Sequence, residues 1–467
     1  MISGKDLIAL GIKQGKWYSA IIEYANIHGL EGEALKAYAL SMMPKEIEPH
    51  AKSVPFFKNI DAESEEELVN MEKVFQSMET LMYTPTIVNG AVMPDACPTG
   101  SNGQIPVGGV AVAKNAIHPN MHSADICCSV MATNFGIVDP KQVLDAAHGV
   151  THFGPGGRKE LFPIQEELLE KMASNYFLKS DTSMHMAKTH LGTQGDGNHF
   201  LYVGQSQNTG ETYLVTHHGS RGVGARLFKE GMKVAEHYRS EVAPKTLKAN
   251  AWIPYDTELG QAYWEALQLV RAWTKLNHSS IHDATLDQLQ TVLKDRFWNE
   301  HNFVFKRGDL FYHAKGATPL LDEFVPDSKE GLRLIPLNMA EPILVVKGTE
   351  SASNLGFAPH GAGRNVSRSA HKRKLDGQSN EEVFRRETKG LDIRFYSGNI
   401  DVSELPGAYK NAQAVKDQMQ RFGLGEVVDE ILPYGCIMAG DWKKDAPWKK
   451  RKSKNQEQLG HNPRTLI

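Results

Sequence analysis

Apolar residues recur at helical spacing over 31–43 and again over 64–79, where Ser64, followed three residues later by Glu67, forms a capping box at the start of the second stretch. Between 87 and 138 the pattern changes. The runs TIVNGAVM, PVGGVAVA and SVMATNFGIV are short, rich in β-branched residues and broken by Gly, Pro and Asn, which predicts strands joined by tight loops. Next come a predicted helix over about 163–176, strands over 198–204 and 212–217, and helices over about 225–241 and 258–298. Strand patterns return at 303–313 and 332–347, then helices at about 380–388 and 408–421, then a last strand at about 426–438. No internal repeat or low-complexity linker cuts the chain. The mixture predicts an α/β (mixed α+β) fold built on mixed sheets with surrounding helices.

Composition narrows the class. With 467 residues, 41% hydrophobic and 23% charged, the chain can build a core and is too apolar for wholesale disorder. Length alone suggests about two to three domains, or one large α/β domain. No run of about 18 or more apolar residues is present, so no membrane-spanning helix is expected. The start, MISGKDLIALGIKQGKWYSAIIEYA, carries charge and Gly through its apolar stretch and reads as neither a signal nor a transit peptide. Four Cys with no Cys-x-x-Cys pair exclude a disulfide framework and a zinc ribbon, which makes the reducing cytoplasm the expected location.

The net charge of −3 hides an asymmetry. Residues 441–467 hold eight Lys or Arg against three acids, and Arg364, Arg368, Lys372, Arg373 and Lys374 meet no acid before Asp376. Such clusters on an acidic body point to a local polyanion site, the alternative being a solvated tail and a charged loop.

The candidate chemistry lies in glycine-punctuated loops: Ser123-Ala124-Asp125-Ile126-Cys127-Cys128, Gly195 to Phe200, His217 to Gly222, Asn277-His278-Ser279-Ser280, and Pro359-His360-Gly361-Ala362-Gly363-Arg364. Each puts an Asp, Cys or His beside Gly or Ser at the end of a strand-like run, where ligand residues are held rigidly and backbone can approach a phosphate. Singly, each has a plain structural explanation: a satisfied histidine, a small buried cysteine. Together, one thiolate, one carboxylate and three imidazoles suit divalent transition metals, and a Cys sulfur can bridge two of them. His360, in a Gly-rich loop beside Arg364, has the makings of a nucleophile or a phosphate ligand.

From about residue 88 to 440 the sequence resembles the RtcB family of RNA ligases. The family's Asp-x-Gly-Cys stands here as Asp125-Ile126-Cys127-Cys128, its Gly-Gly-Gly-Asn-His as Gly195-Asp196-Gly197-Asn198-His199, its His-Ser-Gly-Ser-Arg-Gly as His217 to Gly222, and its His-Asn as His278-Ser279. Its Ser-His-Gly-Ala-Gly-Arg stands as Pro359 to Arg364, with Ser367-Arg368 following, its Lys-Gly-Ala-Thr as Lys315 to Thr318, and its Ala-Tyr-Lys as Ala408 to Lys410.

The resemblance implies a ligase that joins an RNA 2′,3′-cyclic phosphate or 3′-phosphate end to a 5′-hydroxyl end, using GTP and two Mn²⁺ ions. Cys128 would bridge the ions, one completed by Asp125 and His199, the other by His217 and His278. His360 would carry GMP as a phosphoramidate. Asn198, Met339, His360, Gly361, Ala362, Gly363 and Arg364 would contact the nucleotide, and Arg221, Arg364 and Arg368 would offer forked donors to phosphates. An archease-like activator is a plausible partner by the same resemblance.

The departures fall on the guanine-facing set. The family's Gly-Ser-Met-Gly loop reads Leu337-Asn338-Met339-Ala340, the acid expected three residues after His199 is Tyr202, and the Arg before Lys315 is Ala314. The guanine-touching Lys is Ala439, before Gly440, and Asp-Val-His reads Asp95-Ala96-Cys97. This pattern suggests a divergent paralogue specialised for RNA repair rather than tRNA splicing, with weakened choice of guanine. The expected organisation is an N-terminal helical region over 1–86 packed on the core, an RtcB-like catalytic core over 87–440 and a basic tail over 441–467. His282 is expected behind His278 or at the surface, His218 outside the ligand set, and the His152 to Arg158 loop as a phosphate loop or only a turn. Two other function classes stand beside the ligase: a metal-dependent phosphoesterase or nucleotide hydrolase, and a non-catalytic RNA-end-binding protein. Retention of His360 speaks against the last.

Overall fold

The computed structural model describes residues 1–441 except Lys16, Pro44 and Lys329. The basic tail therefore lies outside the described residues beyond Asp441. Two sheets carry the architecture, which is mixed α/β. A five-stranded sheet runs in the order Phe57–Lys58, Ile87–Cys97, Val107–Lys114, Leu310–Lys315, Asn302–Arg307. An eight-stranded sheet runs Arg333–Pro336, Ile343–Lys347, Glu426–Met438, Phe200–Ser206, Thr212–His218, Ser129–Asn134, Asp295–Glu300, with Asp392–Phe395 pairing in parallel on the long strand Glu426–Met438. A two-stranded ribbon, Ala317–Pro319 with Phe357–Pro359, delivers the chain to His360.

Helices follow the capping chemistry. Ser64 accepts a hydrogen bond from Glu67 N at the start of Glu65–Leu81, and Thr257 accepts one from Gly260 N at the start of Glu258–Leu289. The helix expected over 258–298 is shorter than its apolar pattern. It closes at Gln290, which is left-handed (φ 52°), and Asp295–Glu300 is a strand of the large sheet. The pattern over 303–313 is a hairpin turned at Gly308, and that over 332–347 is a second hairpin. Two helices went unforeseen: Pro140–Val150, with Asp139 as its cap and Pro in its first turn, and Asp181–Thr189, capped by Ser180. The basic run 368–374 is also helical, capped by Ser367.

The main core packs Trp273, Tyr263, Trp298 and Phe303 between the long helix and the sheets. The first three helices, Gly4–Ala9, Trp17–His28 and Gly32–Met42, bury Leu7, Ile21 and Leu35 in a small cluster of their own. No helix of the described residues is long and apolar enough to cross a membrane.

Arg333 is fully buried at the join between the large sheet and the ribbon that leads to His360. Its guanidinium donates to the carbonyls of Pro319 (2.7 Å), Leu332 (2.9 Å) and Leu320 (3.2 Å) and to Asp322 Oδ1 (2.8 Å). Replacing it strands two buried carbonyls and a part-buried one at once. Arg333→Met is expected to cost about 3–5 kcal/mol of stability in urea unfolding; a change below about 1 kcal/mol would show that water reaches these carbonyls.

Candidate active site

Four neighbouring antiparallel strands of the large sheet end at the same place. Register sets Phe200 and Val130 opposite His217, and Ser129 opposite both His218 and Glu300. The residues at or just beyond those strand ends, His199, His217, Cys128 and His301, are thereby brought side by side. Cys128 Sγ lies 3.2 Å from His217 Nε2 and 3.6 Å from His199 Nε2, and His217 Nε2 lies 3.2 Å from His301 Nε2. Asp125 Oδ2 stands 2.9 Å from His199 Nε2. The ligand atoms of Cys128, His217 and His301 all lie within 4.8 Å of one another, as do those of Asp125, Cys128 and His199.

The chemistry of this set fits a metal pair sharing one sulfur. Burial, reinforced by the neighbouring imidazoles, holds His217 and His301 well below the ordinary histidine range, so both rings are neutral and each keeps a lone pair that a cation can take. Their Nδ1 atoms are buried and unpartnered, so neither ring is drawn to another acceptor. His199 Nδ1–H donates to the Gln194 carbonyl (2.6 Å), which leaves Nε2 facing inward. Burial, and then the Asp125 carboxylate, push the Cys128 thiol well up, a cost that a cation at the sulfur reverses. Burial also works to raise the Asp125 carboxyl, but His199 and Arg221 prevail and pull it down to about 2.

The loop that presents Asp125 and Cys128 is strained. Ser123 (φ 72°) and Cys127 (φ 58°) are both left-handed, a conformation that costs non-glycine residues of order 1–3 kcal/mol each. At position 127 the resemblance expects glycine. Cys127 N donates to the Asn302 carbonyl (2.7 Å) and His301 N to the Cys128 carbonyl (2.9 Å), which holds the turn against that cost. Gly219 is required beside it, since a Cβ there would sit 2.1 Å from Asp125 Oδ1.

The structure places His301 against Cys128 and places His278 elsewhere. His278 Nδ1 pairs with Thr216 Oγ1 (2.7 Å), and its Nε2 lies near Ser129 Oγ (3.0 Å) and the His218 carbonyl (3.2 Å). Its ring stacks on His218 at 3.5 Å, and both its nitrogens are engaged. His282 is likewise held between Thr216 and Thr133, each at 2.7 Å. His278 sits inside the long helix Glu258–Leu289, where it braces the sheet. The overlooked signal was literal: His301-Asn302 spells the His-Asn pair that His278-Ser279 only approximates.

His360 stands beside this cluster, its ring centroid 4.9 Å from that of His301. Asp95 Oδ2 accepts from His360 Nδ1 (2.5 Å) and from His360 N (3.1 Å), which places the ring proton on Nδ1 and leaves Nε2 without a hydrogen-bond partner among the described residues. Gly363 (φ 75°) permits this approach, because a Cβ there would meet the Asp95 carbonyl oxygen at 2.3 Å. Asn302 ties the turn beside His360 to the Asp125 loop: its Oδ1 accepts from Gly316 N (2.7 Å), and its Nδ2 donates to the Asp125 carbonyl (3.4 Å).

One cavity of about 350 Å³ contains these groups. Asp125, Cys128, His217 and His301 line it, as do Asn198, Met339, His360, Gly361, Ala362, Gly363 and Arg364. Arg364 and Arg368 are already engaged. Both bind the buried Glu404 carboxylate, which also accepts from Tyr409 OH (2.6 Å). Two more residues of the basic cluster are met by acids distant in sequence, Lys372 by Asp401 and Lys374 by Glu66. Arg158 donates to the Val150 and Gly192 carbonyls and Arg221 to the Gly154 carbonyl, so the 152–158 loop braces the turn before His199. Ala439 is absent from the cavity wall and packs in an apolar cluster with Phe153, Leu201 and Ile437.

A family model described as tRNA-splicing ligase RtcB matches residues 158–439. A tRNA-splicing ligase RtcB of Archaeoglobus fulgidus is 29% identical over 287 residues, covering 52% of this chain and 58% of that protein. Proteins of the same description from Aeropyrum pernix and Methanocaldococcus jannaschii are 28% and 26% identical, covering 55% and 61% of this chain and 61% and 33% of their own lengths. The chain thus spans less than two thirds of these relatives.

Lys315 lines the same cavity, donating to Thr99 Oγ1 (3.2 Å) and the Ile105 carbonyl (3.3 Å). Burial lowers its ammonium to about 8, against the opposing pull of Cys97. Unfolded, the same amine titrates near ~10.4. Between those values the unfolded chain holds the extra proton, so the Lys315 contribution to stability grows as pH rises from about 8 to about 10. Lys315→Met is expected to stabilise most at pH 7 and to flatten that rise, read as urea midpoints across the pH series; parallel profiles for the two proteins would contradict it.

Proposed function

Because the family model matches well over half of its residues, the chain belongs to the RtcB family, and from that premise we propose that it is a GTP- and Mn²⁺-dependent RNA ligase acting in RNA repair. It would join 2′,3′-cyclic phosphate or 3′-phosphate ends to 5′-hydroxyl ends through a histidine–GMP intermediate. The observation that carries this reading is the orientation of His360: its Nδ1 is held by Asp95 and its Nε2 has no hydrogen-bond partner among the described residues, beside a convergent thiol, carboxylate and imidazole set.

His360 Nε2 attacks the α-phosphorus of GTP. The P–N bond forms as the P–O bond to pyrophosphate breaks, and Asp95 steadies the positive charge that develops on the ring. A 2′,3′-cyclic end is first opened by water, which adds to phosphorus as the P–O2′ bond breaks; an oxygen of the resulting RNA 3′-phosphate then takes the guanylyl group from His360, which returns to neutral imidazole. The RNA 5′-hydroxyl oxygen attacks the activated 3′-phosphorus, giving up its proton to solvent as the P–O bond to GMP breaks and GMP leaves. Asp125, Cys128 and His199 would hold one Mn²⁺, and Cys128, His217 and His301 the other; bound there, the pair supplies Lewis-acid neutralisation of phosphate charge. Arg364 and Arg368 are within the same cavity to meet phosphate oxygens. The four free cysteines suit a reducing compartment such as the cytoplasm.

The primary test is incubation with Mn²⁺ and labelled GTP, followed by a search for an acid-labile, base-stable nucleotidyl-protein and for joining of 3′-phosphate to 5′-hydroxyl RNA. Phosphate release without joining would favour the phosphoesterase reading. His360→Ala is expected to abolish the adduct while metal content and far-UV spectrum stay unchanged; a labelled protein surviving that substitution means another nucleophile acts. Cys128→Ala is expected to remove stoichiometric binding of both metals, measured by equilibrium dialysis against Mn²⁺, whereas His278→Ala should retain them. Loss of metal in His278→Ala with retention in His301→Ala would reverse the assignment of the second ion.

A further inference from the structure

The cavity continues past His360 onto one face of the large sheet. Phe200 and Tyr202 are on the same side of their strand, and the register pairs them with Met438 and Cys436. Met339 and Ile343, from the neighbouring hairpin, complete the wall. A nucleotide with its α-phosphate at His360 Nε2 and its phosphates toward the metal cluster has this apolar face as the place for its base.

The hydroxyl and carboxylates of that wall are committed elsewhere. Tyr202 OH donates to the Ile431 carbonyl (2.8 Å), and the residue is 1% exposed. Glu404 is taken by Arg364, Arg368 and Tyr409, and Asp125 by His199. These are the two carboxylates among the described residues lining the cavity. Asn338 Oδ1 accepts from Ala340 N (2.9 Å), which leaves its NH₂ group as a donor. A donor suits purine N7, an acceptor that guanine and adenine share, whereas the N1–H and 2-amino donors that mark guanine need an acceptor.

We infer that this pocket takes purine nucleoside triphosphates by stacking on an apolar face and does not read the hydrogen-bond edge that separates guanine from adenine. The inference rests on the proposed nucleotidyl transfer at His360 and widens the nucleotide it uses. A site built to hydrogen-bond a substrate group rejects the analogue lacking it by roughly 10⁴-fold or more, and a site that offers only shape and apolar contact does not.

The test uses the full chain and competition against a fluorescent N-methylanthraniloyl-GTP, with GTP, ITP, ATP and CTP as competitors, in parallel with adduct formation from labelled GTP and ATP. Expected are dissociation constants for GTP, ITP and ATP within about fivefold of one another, weaker binding of CTP because a pyrimidine stacks less area, and adducts from both purine nucleotides. Phe200→Ala should weaken GTP and ATP by the same factor, about tenfold, since stacking does not distinguish the bases. GTP binding more than about 50-fold tighter than ATP, or a Phe200→Ala effect confined to GTP, overturns the inference while leaving nucleotidyl transfer at His360 standing. Failure of every nucleotide to bind or label removes the reading on which it rests and the inference with it.

Discussion

Cys128 Sγ, His199 Nε2, His217 Nε2 and His301 Nε2 converge in a buried space, and none of them can be there unless four strands hold their register. A slip of one residue would turn each of these side chains to the opposite face of the sheet. The cluster also has an electrostatic cost. Burial disfavours charge on His217 and His301, whose Nδ1 atoms have no partner among the described residues, and two left-handed residues strain the loop that supplies Asp125 and Cys128. Such an arrangement is stable because the packed sheet over-determines it, and its natural complement is a cation.

His360 is placed from a different direction. Asp95 belongs to the five-stranded sheet and His360 directly follows the ribbon strand Phe357–Pro359, so their 2.5 Å contact joins two structural units. Asn302 makes a second join, bonding to Gly316 on one side and to the Asp125 loop on the other. Lys410 contributes a third, donating to the carbonyls of Pro94 (2.9 Å) and Ala96 (3.2 Å) on either side of Asp95. Burial lowers the Lys410 ammonium, a cost offset by these bonds and by the Asp95 charge. The position of His360 relative to the metal cluster is therefore set by polar contacts across the seams.

Charge behaves differently from its appearance along the chain. The basic run after Arg364 looks like an open polyanion surface, yet Arg364, Arg368, Lys372 and Lys374 each meet an acid, at Glu404, Asp401 or Glu66. Glu404 is nearly fully buried, so its two arginines hold a fixed geometry at the cavity edge. Their remaining N–H groups, aimed by that carboxylate, are the ones available to phosphate.

The local record in the sequence was sufficient for much of this molecule. Ser64 with Glu67, the β-branched runs after Ile87, and the short motifs holding Asp125, Cys128, His199, His217 and His360 are readable because capping, period-two patterning and ligand chemistry act over a few residues. The family resemblance rests on those same short motifs. What needed the tertiary structure was every choice between equivalent neighbours. His278 and His301 are both histidines near small polar residues, and only the sheet register gives Cys128 to His301 while Thr216 and Ser129 occupy His278. The end of the long helix at Gln290, the neutralised basic run, the Asp95 partner of His360 and the apolar base wall depend on contacts between residues far apart in sequence. Such contacts leave no periodicity to read, and their energies exist only once the two sheets have closed around the cavity.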